Sequence, residues 1–237
     1  MAFQVGPRYS LRGRRFSYGI FRFAQRVMKR LYILGWLFFC ATSLAGAGDP
    51  VATDAGAAFK LTPEEQAFLA EHPQIRIGVM ADWPPLDFQD RSGHPVGVGV
   101  DFLNEMNRLL GGVIQIQSGP FGENVQKAKD RELDGVMDIT PRADREEFLA
   151  FTQPYLDIPH VIVGRRGARY YKSAMALMGH TVALEKGFGN VEWFQENFPS
   201  VRIHPYDSTR DALDAVARGQ ADAYAGNRTV ALYLIEQ

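Results

Sequence analysis

Residues 80–90, MADWPPLDFQD, set a tryptophan between an acid and two prolines, where a surface turn would carry small polar side chains. They follow residues 75–79, an apolar run that reads as a buried strand. A flat ring held at the mouth of a strand by rigid prolines can stack on an apolar or planar molecule, or on a cation. A second stretch, residues 185–190 (EKGFGN), precedes a helical segment, so its backbone amides can meet an anion at a helix N-terminus. An ordinary capping loop is the alternative there. The chemistry on offer is recognition. His72, His94, His160, His180 and His204 are scattered without ligand spacing, and no Ser-His-Asp arrangement can be built. No catalytic residue, metal site or cofactor is expected.

Alternating strands and helices must position these residues. The pattern predicts a strand over 75–80, a helix over about 100–110 closed by Gly111 and Gly112, a strand over 113–117, a helix over about 122–131 and a strand over 134–138. Val100, Leu103, Met106 and Leu110 fall at helical spacing and should face a sheet. After a break near 151–163 the alternation resumes, with strands at 158–164, 181–184, 201–205 and 221–225. Helices are expected at 172–178, 190–197, 208–218 and from 228. This is an α/β pattern in two halves joined by a crossover, with ligands expected beyond the carboxyl ends of the strands. Upstream, Thr62, Pro63 and Glu65 form an N-cap, a first-position proline and a capping-box glutamate, and His72-Pro73 ends that short helix.

Charge divides the chain. Residues 1–47 carry eight Lys/Arg and no acid; removing those eight from 26 leaves 18 basic against 27 acidic residues, a formal charge of −9 for the remainder. Such a body is repelled by nucleic acid and by anionic membrane, so neither is an expected partner. Met28-Lys29-Arg30, the apolar run 31–44 and Ala45-Gly46-Ala47 read as a secretory signal with an extended basic region, an uncleaved anchor being the alternative. Cys40, the only cysteine, lies within that leader. The expected divisions are 1–47 signal, 48–73 linker and short helix, 74–157 first lobe and 158–237 second lobe.

The stretches IRIGVMADWPPLDF, GHPVGVGVDFLNEMNRLLG, ELDGVMDITPRADREEFLAFTQPY and ALDAVARGQADAYAGNRTVALYLI resemble the family-three bacterial extracellular solute-binding proteins. These are two-lobed, periplasmic-binding-protein-like (type II) receptors. The LTPEEQAFLAEHPQIRIGV lead is most similar to the periplasmic sensor domains of virulence-type hybrid histidine kinases. The resemblance implies a ligand-carboxylate arginine at Arg145, whose guanidinium offers two parallel donors; a surface pairing with Asp144 or Glu146 is the alternative. It implies an aromatic wall at Trp83 and Phe121, the latter equally a core residue. It implies ligand contacts from Asp138 and Thr140, in either of two registers, and from Gly187, Phe188, Gly189 and Asn190. Asn227 stands where amino-acid receptors hold an aspartate for the ligand's ammonium, and an amide cannot supply that charge. The resemblance further implies a return of the chain to the first lobe, absent before Gln237; an unpaired strand edge and uncovered apolar surface are expected in its place.

The function expected is periplasmic sensing of a small carboxylate solute for a two-component histidine kinase. Its partners would be that solute and an inner-membrane component or the chain's own kinase portion, with a homodimer possible. The alternatives are a free receptor for an ABC transporter and, behind it, an enzyme on the same fold (dehydratase or lytic transglycosylase).

Overall fold

The computed structural model describes residues 3–9 and 60–237. The leader from residue 10 onward, Cys40 and the linker to residue 59 lie outside the described residues. Thr62 caps the first helix, α1 (Pro63–Glu71), as its sequence predicts: Thr62 Oγ1 accepts from the Glu65 amide at 3.2 Å and Glu65 Oε2 accepts from the Thr62 amide at 2.7 Å.

The first lobe centres on β2 (Ile75–Met80), which pairs in parallel with β6 (Ile114–Gly119) on one side and β7 (Gly135–Val136) on the other. Between β2 and β6 the chain makes a small antiparallel sheet of β3 (Asp82–Trp83), β4 (Asp87–Gln89) and β5 (Pro95–Val96), then helix α2 (Val98–Leu109). Gly97 caps α2 at φ 123°, where a side chain would strike the Leu86 carbonyl oxygen. Val79, Val100, Leu103 and Ile114 form the buried core. Met106 is not on that face. It is 37% exposed and lines up with Val98, Phe102 and Leu109 as an apolar stripe on the outer side of α2. The spacing fits either side of a helix with two apolar faces, and the period alone does not choose.

After α3 (Phe121–Lys129) and α4 (Ala143–Glu146), residues 151–159 cross to the second lobe without regular structure. There β9 (Thr181–Glu185), β10 (Arg202–Tyr206) and β11 (Ala223–Asn227) run parallel, while β8 (His160–Arg165) pairs antiparallel to β11. A 3₁₀ turn, Ala174–Leu177, stands where a longer helix is expected. Helix α5 (Gly189–Asn197) covers one face of the sheet through Phe194; α6 (Thr209–Arg218) and α7 (Arg228–Glu236) cover the other through Leu213, Val216 and Ala231. Ser208 caps α6, and Gly219 ends it in the left-handed conformation.

The outer edge of β8 is not open. Strand β1 (Phe3–Tyr9), within the stretch read from sequence as leader, runs antiparallel along it, and Gln4 Nε2 donates to the Arg169 carbonyl at 2.8 Å. That edge is thus paired, whereas in the first-lobe sheet, ordered β6-β2-β7, the described residues pair β7 on one side only.

Candidate ligand cleft between the lobes

Trp83 closes β3, with a cis peptide between Pro84 and Pro85 just beyond it. Its ring is 8% exposed and belongs to a cluster that spans both lobes: Met80 and Leu86 from the first, Val230 from the second, with Phe121, Phe188, Ile158 and Leu234 packed around them. Phe188 meets Trp83 in a T-shaped contact at 5.7 Å between centroids and Phe121 in another at 4.8 Å. The second lobe's own phenylalanine therefore fills the space between the two aromatic walls. Trp83 Nε1 is buried and has no acceptor among the described residues, an exception among buried donors.

Arg145 stands beside this cluster and is 3% exposed. Helix α4 and the Thr140 turn aim it across the gap: Nη1 donates to the Thr140 carbonyl at 2.9 Å and to Thr140 Oγ1 at 3.3 Å, and Nη2 donates to the Gly187 carbonyl of the second lobe at 2.6 Å. The guanidinium also lies over the Phe121 ring at 5.3 Å. Burial, then the neighbouring Arg142, lowers its pKa to about 10, still fully cationic at neutral pH. The alternative of a surface arginine paired with a neighbouring acid is not what is found. Arg142 takes that part, meeting Asp144 at 2.9 Å and reaching Glu192 in the second lobe at 2.9 Å.

The remaining predicted residues divide. Gly187 and Gly189 sit at the closest approach of the lobes; a Cβ on Gly189 would stand 3.1 Å from Thr140 Oγ1. Asn190 and Asn227 lie behind, each with one side-chain polar group bonded within the second lobe, while Asn190 Oδ1 is buried without a partner among the described residues. Asn190 Nδ2 donates to the Ala225 carbonyl at 2.9 Å, and Asn227 Oδ1 caps α7 by accepting from the Val230 amide at 3.1 Å. Asp138 is not beside Arg145, whose acidic neighbours are Asp144 and Glu192. It accepts from the Tyr155 hydroxyl and faces Asp87.

Sequence reasoning missed Asp87, Tyr155, Glu185 and the Arg142–Glu192 bridge. Glu185 is buried at the end of β9, accepting from Thr209 Oγ1 at 2.6 Å and the Tyr224 hydroxyl at 2.8 Å, and burial raises its pKa. An acid closing the apolar run TVALE was the available signal; for Asp87, it was an acid between Leu86 and Phe88.

Comparison with known proteins agrees with this architecture. Residues 75–225 match the model of the bacterial extracellular solute-binding proteins, family 3. The ABC transporter arginine-binding protein 1 of Escherichia coli K12 is 26% identical over 160 residues, covering 66% of this chain and 64% of that protein. The virulence sensor protein BvgS of Bordetella pertussis is 26% identical over 174 residues, 73% of this chain but 14% of that protein. The structure of the BvgS periplasmic domain superposes with a TM-score of 0.68 at 26% identity, covering 75% of this chain and 35% of that one. The chain thus spans less than two thirds of the curated relatives it matches. Among the described residues no helix is long and apolar enough to cross a membrane. Two α/β lobes of the periplasmic-binding-protein kind, closed on a buried arginine and an aromatic cluster, agree with the match along the sequence: the chain belongs to the bacterial extracellular solute-binding proteins, family 3, whose members bind small solutes outside the cytoplasm.

Proposed function

We propose that this chain is the periplasmic sensing part of a two-component histidine kinase, and that it binds a small carboxylate lacking an ammonium group. The observation that carries the reading is Arg145. A buried guanidinium whose second-lobe partner is only a main-chain carbonyl is poised to exchange that carbonyl for an anion. A carboxylate offers two acceptors in the fork geometry of the guanidinium, and charge-assisted hydrogen bonds contribute roughly 1.5–3 kcal/mol each. Inverting a strongly biased open–closed equilibrium takes about 5.5 kcal/mol of differential affinity, so two or three such contacts across the gap suffice. The unpaired Trp83 N–H supplies another donor, and Phe121 a flat wall. Asn227, already capping α7, carries no charge for an ammonium.

Titration calorimetry of the 237-residue chain tests this, using nicotinate and succinate beside arginine, glutamine and glycine. Binding of an amine-free carboxylate that is lost in Arg145→Gln supports the reading. Tight binding of arginine or glutamine overturns it. A free receptor for an ABC transporter is the second reading, favoured by the likeness to the arginine-binding protein; arginine binding would support that one.

A further inference from the structure

A separate buried centre lies within the first lobe and does not depend on the ligand reading. Asp87 on β4 and Asp138 just beyond β7 converge on the first turn of α2. A Cβ on Gly99 would strike Asp87 Oδ1 and stand 3.2 Å from Asp138 Oδ2. Asp87 is 0% exposed. As two carboxylates the pair is under-satisfied: Asp87 Oδ1, Asp87 Oδ2 and Asp138 Oδ2 are buried without a well-formed hydrogen bond among the described residues, and beyond each other the donor Asp87 meets is the Met80 backbone amide. Among the described residues no lysine, arginine or histidine forms an ion pair with either group. One proton resolves this. It makes Asp87 a donor, leaves Asp138 an acceptor and removes one of two facing charges. The other oxygen of Asp138 accepts from Tyr155, which belongs to the crossover and stacks on Phe102 of α2 at 4.8 Å.

We propose that Asp87 and Asp138 form a proton-binding pair, and that the proton they share ties the interlobe crossover to the first lobe through Tyr155. Loss of the proton leaves two carboxylates face to face with no cation between them. The pair then separates, and the Tyr155 tether to the first lobe goes with it. The titratable groups facing the pair are each other and Tyr155; α2 contributes Gly99 and the Phe102 ring, neither of which titrates. Burial, then the charge of Asp138, raises the Asp87 pKa to about 8, so the proton is held at neutral pH and released in mild alkali. Burial, then Asp138, also raises the Tyr155 pKa, so that hydroxyl remains a donor throughout.

The ring NMR signals of Tyr155 in the 237-residue chain, followed between about pH 6 and about pH 9, report the tether, because the ring is held against Phe102. They should shift toward solvent-exposed values across a midpoint near 8. Asp87→Asn, neutral at every pH and still a donor to Asp138, should remove that midpoint. Tyr155→Phe should keep the carboxyl titration, seen by ¹³C NMR of the aspartates, while its ring signals sit at the released values at every pH. This variant decides the matter if Asp87→Asn does not fold. Unchanged ring signals across the range, or a midpoint that survives in Asp87→Asn, overturn the proposal. So does a return of the low-pH signals above the midpoint on adding calcium, which would make the pair a cation site.

Discussion

In the second lobe both faces of the sheet are covered: Phe194, Leu177 and Leu184 pack on one side, and Val163, Val216 and Tyr224 on the other, all fully buried. Among the described residues of the first lobe the main sheet has three strands, one of them only two residues long, and the cluster of Val79, Val100, Leu103 and Ile114 against it is smaller than either of the second lobe's. Its helix α2 carries an exposed apolar stripe on the far side, where Phe102 is 40% exposed. Each lobe also holds buried acids: Glu185 accepts from two hydroxyls, whereas the first lobe's Asp87 and Asp138 face each other. The second lobe is the more fully packed body, and the first carries the acid pair that is bonded to the crossover.

Truncating Phe194 to alanine opens the more fully packed core and should cost about 3–5 kcal/mol in urea unfolding. Leu103→Ala, in the thinner core, should cost about 2 kcal/mol, the lower end for such truncations, because the neighbouring side chains can relax inward. An equal or larger loss for Leu103 would erase the distinction between the lobes.

Proton linkage sharpens it. The folded pKa of Asp87 is raised above the usual carboxylate value, so its contribution is complete below about pH 4 and is lost as pH rises to about 8. Burial lowers the pKa of His160, in the second lobe's sheet, to about 4, so its contribution is present above about pH 6.5 and is lost as pH falls through about 4. Denaturation as a function of pH should show the first slope flattened in Asp87→Asn and the second in His160→Gln. Wild-type slopes in both variants would contradict the assignments.

Smaller effects belong to the surface. Arg142→Gln removes the interlobe bridge to Glu192, in which the Arg142 side chain is 23% exposed. It should cost at most about 1 kcal/mol, and less in high salt. Met106→Gln on the α2 stripe should change stability by no more than about 0.5 kcal/mol.

Much of this was legible in the residues. The capping box at Thr62 and the strand–helix alternation are local signals, and they fell within a few residues of the observed elements. Trp83 and Arg145 were singled out together because the resemblance implied both for one ligand site. The Asp87–Asp138–Tyr155 centre was not. Its members come from a hairpin, a strand end and the crossover, and nothing local in any of the three implies the others. Asn227 shows another limit, since a residue weighed for its missing charge serves first as a helix cap, a duty read only from backbone geometry. The face of α2 was lost for a simpler reason: the helix is apolar on two sides, and one repeat describes both.

Phe188 has one further consequence. A solute that seeks the space between Trp83 and Phe121 meets a ring tethered a few bonds from the same spot, a competitor whose local concentration no dilution can lower. Measured affinity will therefore understate how well the walls fit the solute by whatever fraction of molecules keeps that ring in place. Shortening it to alanine should tighten binding of an aromatic acid even as it removes contact area from the shut form.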